Sequence, residues 1–139
     1  MAISEQKYHE LEELAAKIRL DTLCSIKKMG QGHLGGSFSI VELLAVLYGK
    51  QLRINPQDPQ WADRDRLVLS KGHAGAALYS ALANTGYFDR SWLWTINEGG
   101  TRLPSHPDRW KTPGVDATTG SLGQGTSMAA GIATGLRLA

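Results

Sequence analysis

Paired cysteines, long apolar runs and an excess of either charge are missing from this sequence, and each absence removes a class of function. Cys24 is the only cysteine, so no intrachain disulfide can form. Its place within a helical pattern reads as a buried, inert thiol in a reducing compartment. No stretch approaches the ~18 consecutive apolar residues that span a bilayer. The segment from Met1 to Glu13 is polar and acidic rather than signal-like. A soluble, cytoplasmic protein is the expectation. Fifteen basic residues against 13 acidic ones leave a net charge of +2, and only Lys27 and Lys28 adjoin, so nothing marks a nucleic-acid partner. There is no repeat and no low-complexity tract.

What remains is 139 residues of ordinary globular composition, 42% hydrophobic and 20% charged, about the size of one domain. Apolar residues at Leu11, Leu14, Ala15, Ile18 and Ile26 predict a helix from about Glu5 to Met29, ended by Gly30 and Gly32. Ser39 and Glu42 read as a capping box opening a second helix, Ile40 to about Gly49, apolar on most sides and expected to be buried. Residues 53–64, with two prolines, two aspartates and an asparagine, read as loop. Arg66 to Ser70 reads as a buried parallel strand. A third helix is expected from about His73 to Ala83 and a short one from Ser91 to about Asn97. Glu98 to Asp116 is a loop long enough to suggest function. From Leu122 onward, small residues fall four apart along a last helix. A membrane-dimer motif at Gly131 and Gly135 is excluded by the short, polar segment. One strand has no ladder neighbour, so the chain is expected to be a piece of a larger α/β domain.

Four places could carry chemistry. In Leu67 to Tyr79, a strand, a glycine turn and a helix N-terminus would present unpaired N–H groups to an anion. Gly72 and Gly75 allow close backbone approach there, and His73 adds a donor; a tight turn needing glycine for geometry alone is the structural alternative. Gly32 to Ser37 and Ser105 to Pro107 place His33 and His106 in glycine- or proline-flanked turns. Histidine suits proton transfer near neutral pH. A zinc site built from the three histidines is disfavoured by their wide spacing. His9 lies on the polar first helix and reads as solvated. Finally, Thr118 to Gly125 holds three glycines before the last helix, a surface suited either to close packing or to gripping a flat cofactor.

Taken in order, Gly32-His33-Leu34-Gly35-Gly36-Ser37, Asp65 to His73, Ser105-His106-Pro107 and Gly114 to Gly125 resemble the motifs of transketolases from about Ile18 onward. The Gly-Gly-Ser after His33 is similar to the N-terminal subunit of split transketolases. The resemblance implies an α/β fold: an incomplete N-terminal part of a thiamine-diphosphate-binding open parallel-sheet domain, mostly helical within this chain, over residues 1–139. It implies two-carbon ketol transfer between sugar phosphates. His73 would bind the cofactor diphosphate, and Gly120, Ser121 and Leu122 would line its rings. His33 and His106 would bind the donor sugar and assist proton transfer. Ser121 departs from the proline usual in single-chain transketolases, which bears on substrate preference. The family's Gly-Asp-Gly motif for Mg2+ is absent, so the metal ligands are expected beyond Ala139. The activating glutamate comes from the family's next domain. This chain alone is therefore expected to be inactive, to need a C-terminal part or subunit, and to be found in a homo- or hetero-oligomer. A deoxyxylulose-phosphate synthase is the nearest enzyme alternative, against which Thr119 to Gly125 argues. A non-catalytic interaction module is the alternative from another class.

Overall fold

The computed structural model describes residues 3–138. Its frame is a set of helices joined by ordered loops. Helix α1, Glu5–Met29, begins at Ser4, whose hydroxyl accepts the Lys7 N–H at 3.2 Å. Glu5 sits in its first turn and Lys27 and Lys28 in its last, matching the helix dipole. Gly30 ends it at φ 73°, its N–H reaching the carbonyls of Ile26 and Lys27. The buried stripe of α1 is partly polar. Leu11 and Ile18 are followed by Asp21, Thr22 and Ser25, all buried. Asp21 is satisfied by partners: Arg90 donates through Nε at 2.7 Å and Nη2 at 2.5 Å, and Asn84 donates at 2.7 Å. Thr22 bonds Ser80 at 3.2 Å. The polar stripe thus locks α1 onto the central helix.

That central helix, α4 (Gly75–Asn84), is buried from Gly75 through Ala83. Its small residues let α1 on one side and the long loop on the other come close. Between α1 and α4 lie α2, Leu34–Phe38, and α3, Val41–Val46, which runs on into a wide π-type turn, Leu47–Gln51. The core gathers Ile18, Val41, Leu44, Leu78, Tyr79, Leu82, Leu93, Leu103 and Val115. No helix among the described residues is long and apolar enough to cross a membrane.

The structure corrects several expectations. No β-strand forms among the described residues. The Arg66–Ser70 run is half-buried and makes no ladder within this chain; side chains of the later loop bond its backbone. Asp116 accepts the Leu67 N–H at 2.8 Å, and the Thr119 hydroxyl donates to the Leu69 carbonyl at 2.7 Å. Helix α3 is buried on one face only: Val41, Leu44 and Ala45 are covered, whereas Leu43 is 57% and Val46 42% exposed. Ser39 caps no helix start; it closes α2, its hydroxyl donating to the Gly36 carbonyl at 3.0 Å. The third helix opens with a 3-10 turn, Gly72–Ala74, before α4. The short helix is a 3-10 stretch, Arg90–Thr95. Cys24 is half-buried, not buried. The last helix, α5, spans Gln124–Leu138 and is exposed apart from Gly125 and Ile132. Ala139 lies outside the described residues.

Candidate functional site

Two glycines decide where the site can be. A side chain at Gly72 would put its Cβ 2.6 Å from the Thr119 carbonyl oxygen, and one at Gly75 would meet the Ser105 carbonyl at 3.1 Å. Glycine at both positions therefore lets the long loop lie directly on the start of α4. The loop is pinned there. The Tyr79 hydroxyl donates to the Pro104 carbonyl at 2.8 Å, and the Thr119 N–H donates to the Pro107 carbonyl at 3.2 Å. Arg109 N–H reaches the Thr118 hydroxyl at 3.1 Å.

The close approach brings three histidines together. The His73 ring lies between the other two, its centroid 4.7 Å from His33 and 4.6 Å from His106, with interplanar angles of 87° and 80°. Edge-to-face packing of this kind is favourable for neutral rings. His33 comes from the turn into α2, His73 from the 3-10 turn before α4, and His106 from the loop. Their positions in sequence are far apart; the fold makes them one cluster.

They line a cavity of about 240 Å³ together with Ile26, Met29, Gln31, Ser37, Ile96 and Asn97. That volume is below the ~300–1,000 Å³ usual for a whole small-molecule site, so these residues form part of a wall. No lysine, arginine, aspartate or glutamate lines it. Among the described residues no cluster of His, Cys, Asp and Glu has a geometry that could hold a metal.

Two polar atoms of residues lining this cavity are left without protein partners: His73 Nδ1 and Ser37 Oγ are buried and unbonded. Buried groups of this kind are rare and call for an explanation, such as a bound group. Ser105 Oγ pairs with His106 Nδ1 at 3.2 Å, leaving Nε2 for a ligand. Burial lowers the His106 pKa from its ordinary value, and the neighbouring His73 and His33 add to the effect. His106 is thereby kept neutral and able to take up a proton.

The sequence-derived site residues divide as follows. His33, His73 and His106 meet. Gly120 lies beside them, its missing Cβ 3.8 Å from the His106 ring edge. Ser121 and Leu122 stand exposed on the turn before α5 and outside the cavity wall. His9 is exposed and pairs with Glu12 at 3.1 Å. Gln31 and Asn97 line the cavity and are not singled out by the sequence. Asn97 reads as the end of a helix. Its only signal is an asparagine ahead of Gly99 and Gly100, a composition suited to a left-handed turn.

Residues 11–138 match the family described as transketolase, thiamine diphosphate binding domain. The chain is 54% identical over 136 residues to the 6-deoxy-6-sulfo-D-fructose transketolase subunit SqwG of Clostridium sp. (strain MSTE9), covering 98% of this chain and 49% of that protein. It is 39% identical over 127 residues to an apulose-4-phosphate transketolase subunit of Actinobacillus succinogenes, covering 91% of this chain and 46% of that one. Among solved structures, transketolase from Leishmania mexicana superimposes with a TM-score of 0.85 at 40% identity, over 88% of this chain and 18% of the other. The chain spans about half the length of the two subunits and less than a fifth of the single-chain enzyme.

Proposed function

The chain belongs to the transketolase thiamine diphosphate-binding domain family, and we propose that it supplies one wall of a ketol-transfer site completed by a C-terminal part or subunit. In that reading residues 1–139 are the N-terminal portion of the cofactor domain, whose open parallel sheet is completed outside this chain. The observation that carries it is the meeting of His33, His73 and His106 around one cavity with unbonded polar atoms.

The residues present fit the cofactor. His73 Nδ1 and Ser37 Oγ, both on the cavity wall, are buried without partners. Such a surface suits the acceptor oxygens of a diphosphate. When bound, thiamine diphosphate supplies a nucleophilic ring carbon and an electron sink for breaking the bond between C2 and C3 of a ketose. His73 would hold the diphosphate, with Gly120, Ser121 and Leu122 along the rings. Mg2+ would offset the diphosphate charge, its ligands coming from outside this chain. His33 would bind the donor sugar's hydroxyls. His106, kept neutral, would take the proton from the C3 hydroxyl as the bond breaks and return it to the acceptor aldehyde oxygen as the new bond forms. A ketose and an aldose thus give an aldose shorter by two carbons and a ketose longer by two. The wall has no charged side chain, so it reads hydroxyls and carbonyl. The sugar's terminal anion, a phosphate or the sulfonate named for the Clostridium relative, would be read by the completing part.

The test is complementation. Calorimetry should show weak, Mg2+-insensitive cofactor binding to this chain alone and tight, Mg2+-dependent binding once the C-terminal half is added. Ketol transfer from fructose 6-phosphate, xylulose 5-phosphate or 6-deoxy-6-sulfo-D-fructose should appear only in the complete protein. Tight Mg2+-dependent binding by this chain alone, or a complete protein inert toward all three, would refute the proposal.

A further inference from the structure

Asn97 stands on the wall of the histidine cavity. It is the one non-glycine residue with positive φ among the described residues, at 61°. That backbone is tightly held. The Asn97 N–H donates to the Leu103 carbonyl at 2.8 Å, and the Leu103 N–H donates to the Thr101 hydroxyl at 3.0 Å. The Thr95 and Thr101 hydroxyls pair at 2.9 Å, and Glu98 meets Lys28 of α1 at 3.1 Å. These ties fix the turn through bonds that do not use the Asn97 side chain. Its carboxamide is exposed and makes no hydrogen bond to protein among the described residues.

Left-handed backbone geometry disfavours most side chains, and asparagine tolerates it, but glycine does so at no steric cost. Conformation alone therefore does not select asparagine over glycine here. A carboxamide does supply something glycine cannot: a donor and an acceptor together, without charge. A sugar hydroxyl donates and accepts likewise, and the rest of this wall carries no charged group.

We propose that Asn97 is a specificity-determining residue, its carboxamide hydrogen-bonding a hydroxyl on the carbon chain of the donor sugar. This rests on the ketol-transfer reading and adds a residue to it. Because the contact is with a hydroxyl, it is indifferent to whether the sugar ends in phosphate or sulfonate.

The experiment uses the complete protein with thiamine diphosphate and Mg2+. It compares wild type, Asn97→Gly and Asn97→Ala on whichever of fructose 6-phosphate, xylulose 5-phosphate and 6-deoxy-6-sulfo-D-fructose the wild type turns over. Asn97→Gly keeps the backbone conformation, so its Tm and cofactor affinity should match wild type. Its KM for every accepted donor should rise about three- to tenfold, the scale of one uncharged hydrogen bond. Asn97→Ala should show the same KM rise with a lower Tm, because alanine is strained at this φ. An Asn97→Gly enzyme with wild-type KM values would reduce Asn97 to a backbone role and overturn the assignment alone. A change confined to kcat, or to donors with one kind of terminal anion, would also overturn it. A wild-type enzyme inert toward all three donors would take the functional reading down as well.

Discussion

His73 and His106 meet edge to face with their ring centroids 4.6 Å apart. His106 is the ring whose pKa is lowered, chiefly by burial and then by the charges that His73 and His33 would carry. The cluster is thus arranged to hold at least one neutral imidazole where the sugar is proposed to bind.

The first prediction concerns that proton. The His106 ring should titrate below the ordinary value of 6.5. Between its depressed pKa and 6.5 the unfolded chain binds more protons than the folded one, so stability rises with pH across that window. Above 6.5 His106 imposes no penalty; the penalty grows as pH falls through 6.5 toward the folded pKa. Ring-proton chemical shifts of His106 in the protein would report the midpoint directly. A midpoint at or above 6.5 contradicts the neutral-ring argument.

A second prediction separates the histidines by kinetics in the complete enzyme. His73→Ala should raise the thiamine diphosphate concentration needed for activity roughly ten- to a hundredfold, the scale of one hydrogen bond to a charged group. Excess cofactor should restore much of the rate. His33→Ala and His106→Ala should bind cofactor nearly normally and lose turnover or donor affinity, with proton-transfer assistance worth roughly 10²–10⁴-fold. A cofactor titration at fixed donor makes the distinction. Normal cofactor affinity in His73→Ala together with lost affinity in His33→Ala would reverse the two roles.

Much of this arrangement is legible in the sequence, and the parts that are not have physical causes. Helix α1 shows its periodicity, and Gly30 its end, because both signals are local. That three glycine- or proline-flanked histidines share one cleft can be expected from their setting, and the structure brings them together. The Arg66–Ser70 run forms no ladder within this chain because an apolar pattern cannot supply the hydrogen-bonding partner a strand needs. Asp116 and Thr119, about fifty residues later, supply part of the bonding that a neighbouring strand would otherwise provide. Helix α3 misleads for a related reason: an apolar run cannot say which face will be covered. Asn97 leaves only the composition signal of its turn, because a single polar residue in a loop has no period, and its significance comes from a backbone angle and its place on the cavity wall.

Gly72→Ala should disturb the site without touching any functional group. Its Cβ would fall 2.6 Å from the Thr119 carbonyl oxygen, a backbone atom that cannot simply rotate away. The turn bearing His73 and the segment leading to Gly120 would be forced apart. Overpacking of this kind costs about 1–3 kcal/mol, and cofactor affinity should fall with stability. Thermal unfolding and calorimetry on the complete protein test both; unchanged values would mean the close approach is slack.

The last prediction concerns what holds that same segment from the other end. Arg64 and Asp116 form a buried ion pair, their side chains 9% and 5% exposed. Asp116 also accepts the Leu67 N–H at 2.8 Å, so one carboxylate joins the Arg66–Ser70 run, the preceding loop and the segment that leads to Thr119 and Gly120. Asp116→Ala would leave a guanidinium buried without its counter-charge and a backbone N–H without its acceptor. Breaking one side of a buried pair costs about 3–5 kcal/mol. Asp116→Asn keeps an acceptor for Leu67 and should cost less than alanine, though the uncompensated charge remains. The informative variant is the double replacement Arg64→Met with Asp116→Leu. Removing both charges also removes the desolvation penalty that made the single variants severe, and apolar replacements of buried pairs are often close to neutral. The double variant should therefore recover much of the loss, apart from the unmet Leu67 N–H, worth roughly 1–3 kcal/mol. Urea unfolding of the complete protein measures all three. If the double variant is no more stable than Asp116→Ala, the stranded charge is not the cause, and packing around Arg64 and Asp116 must be what matters.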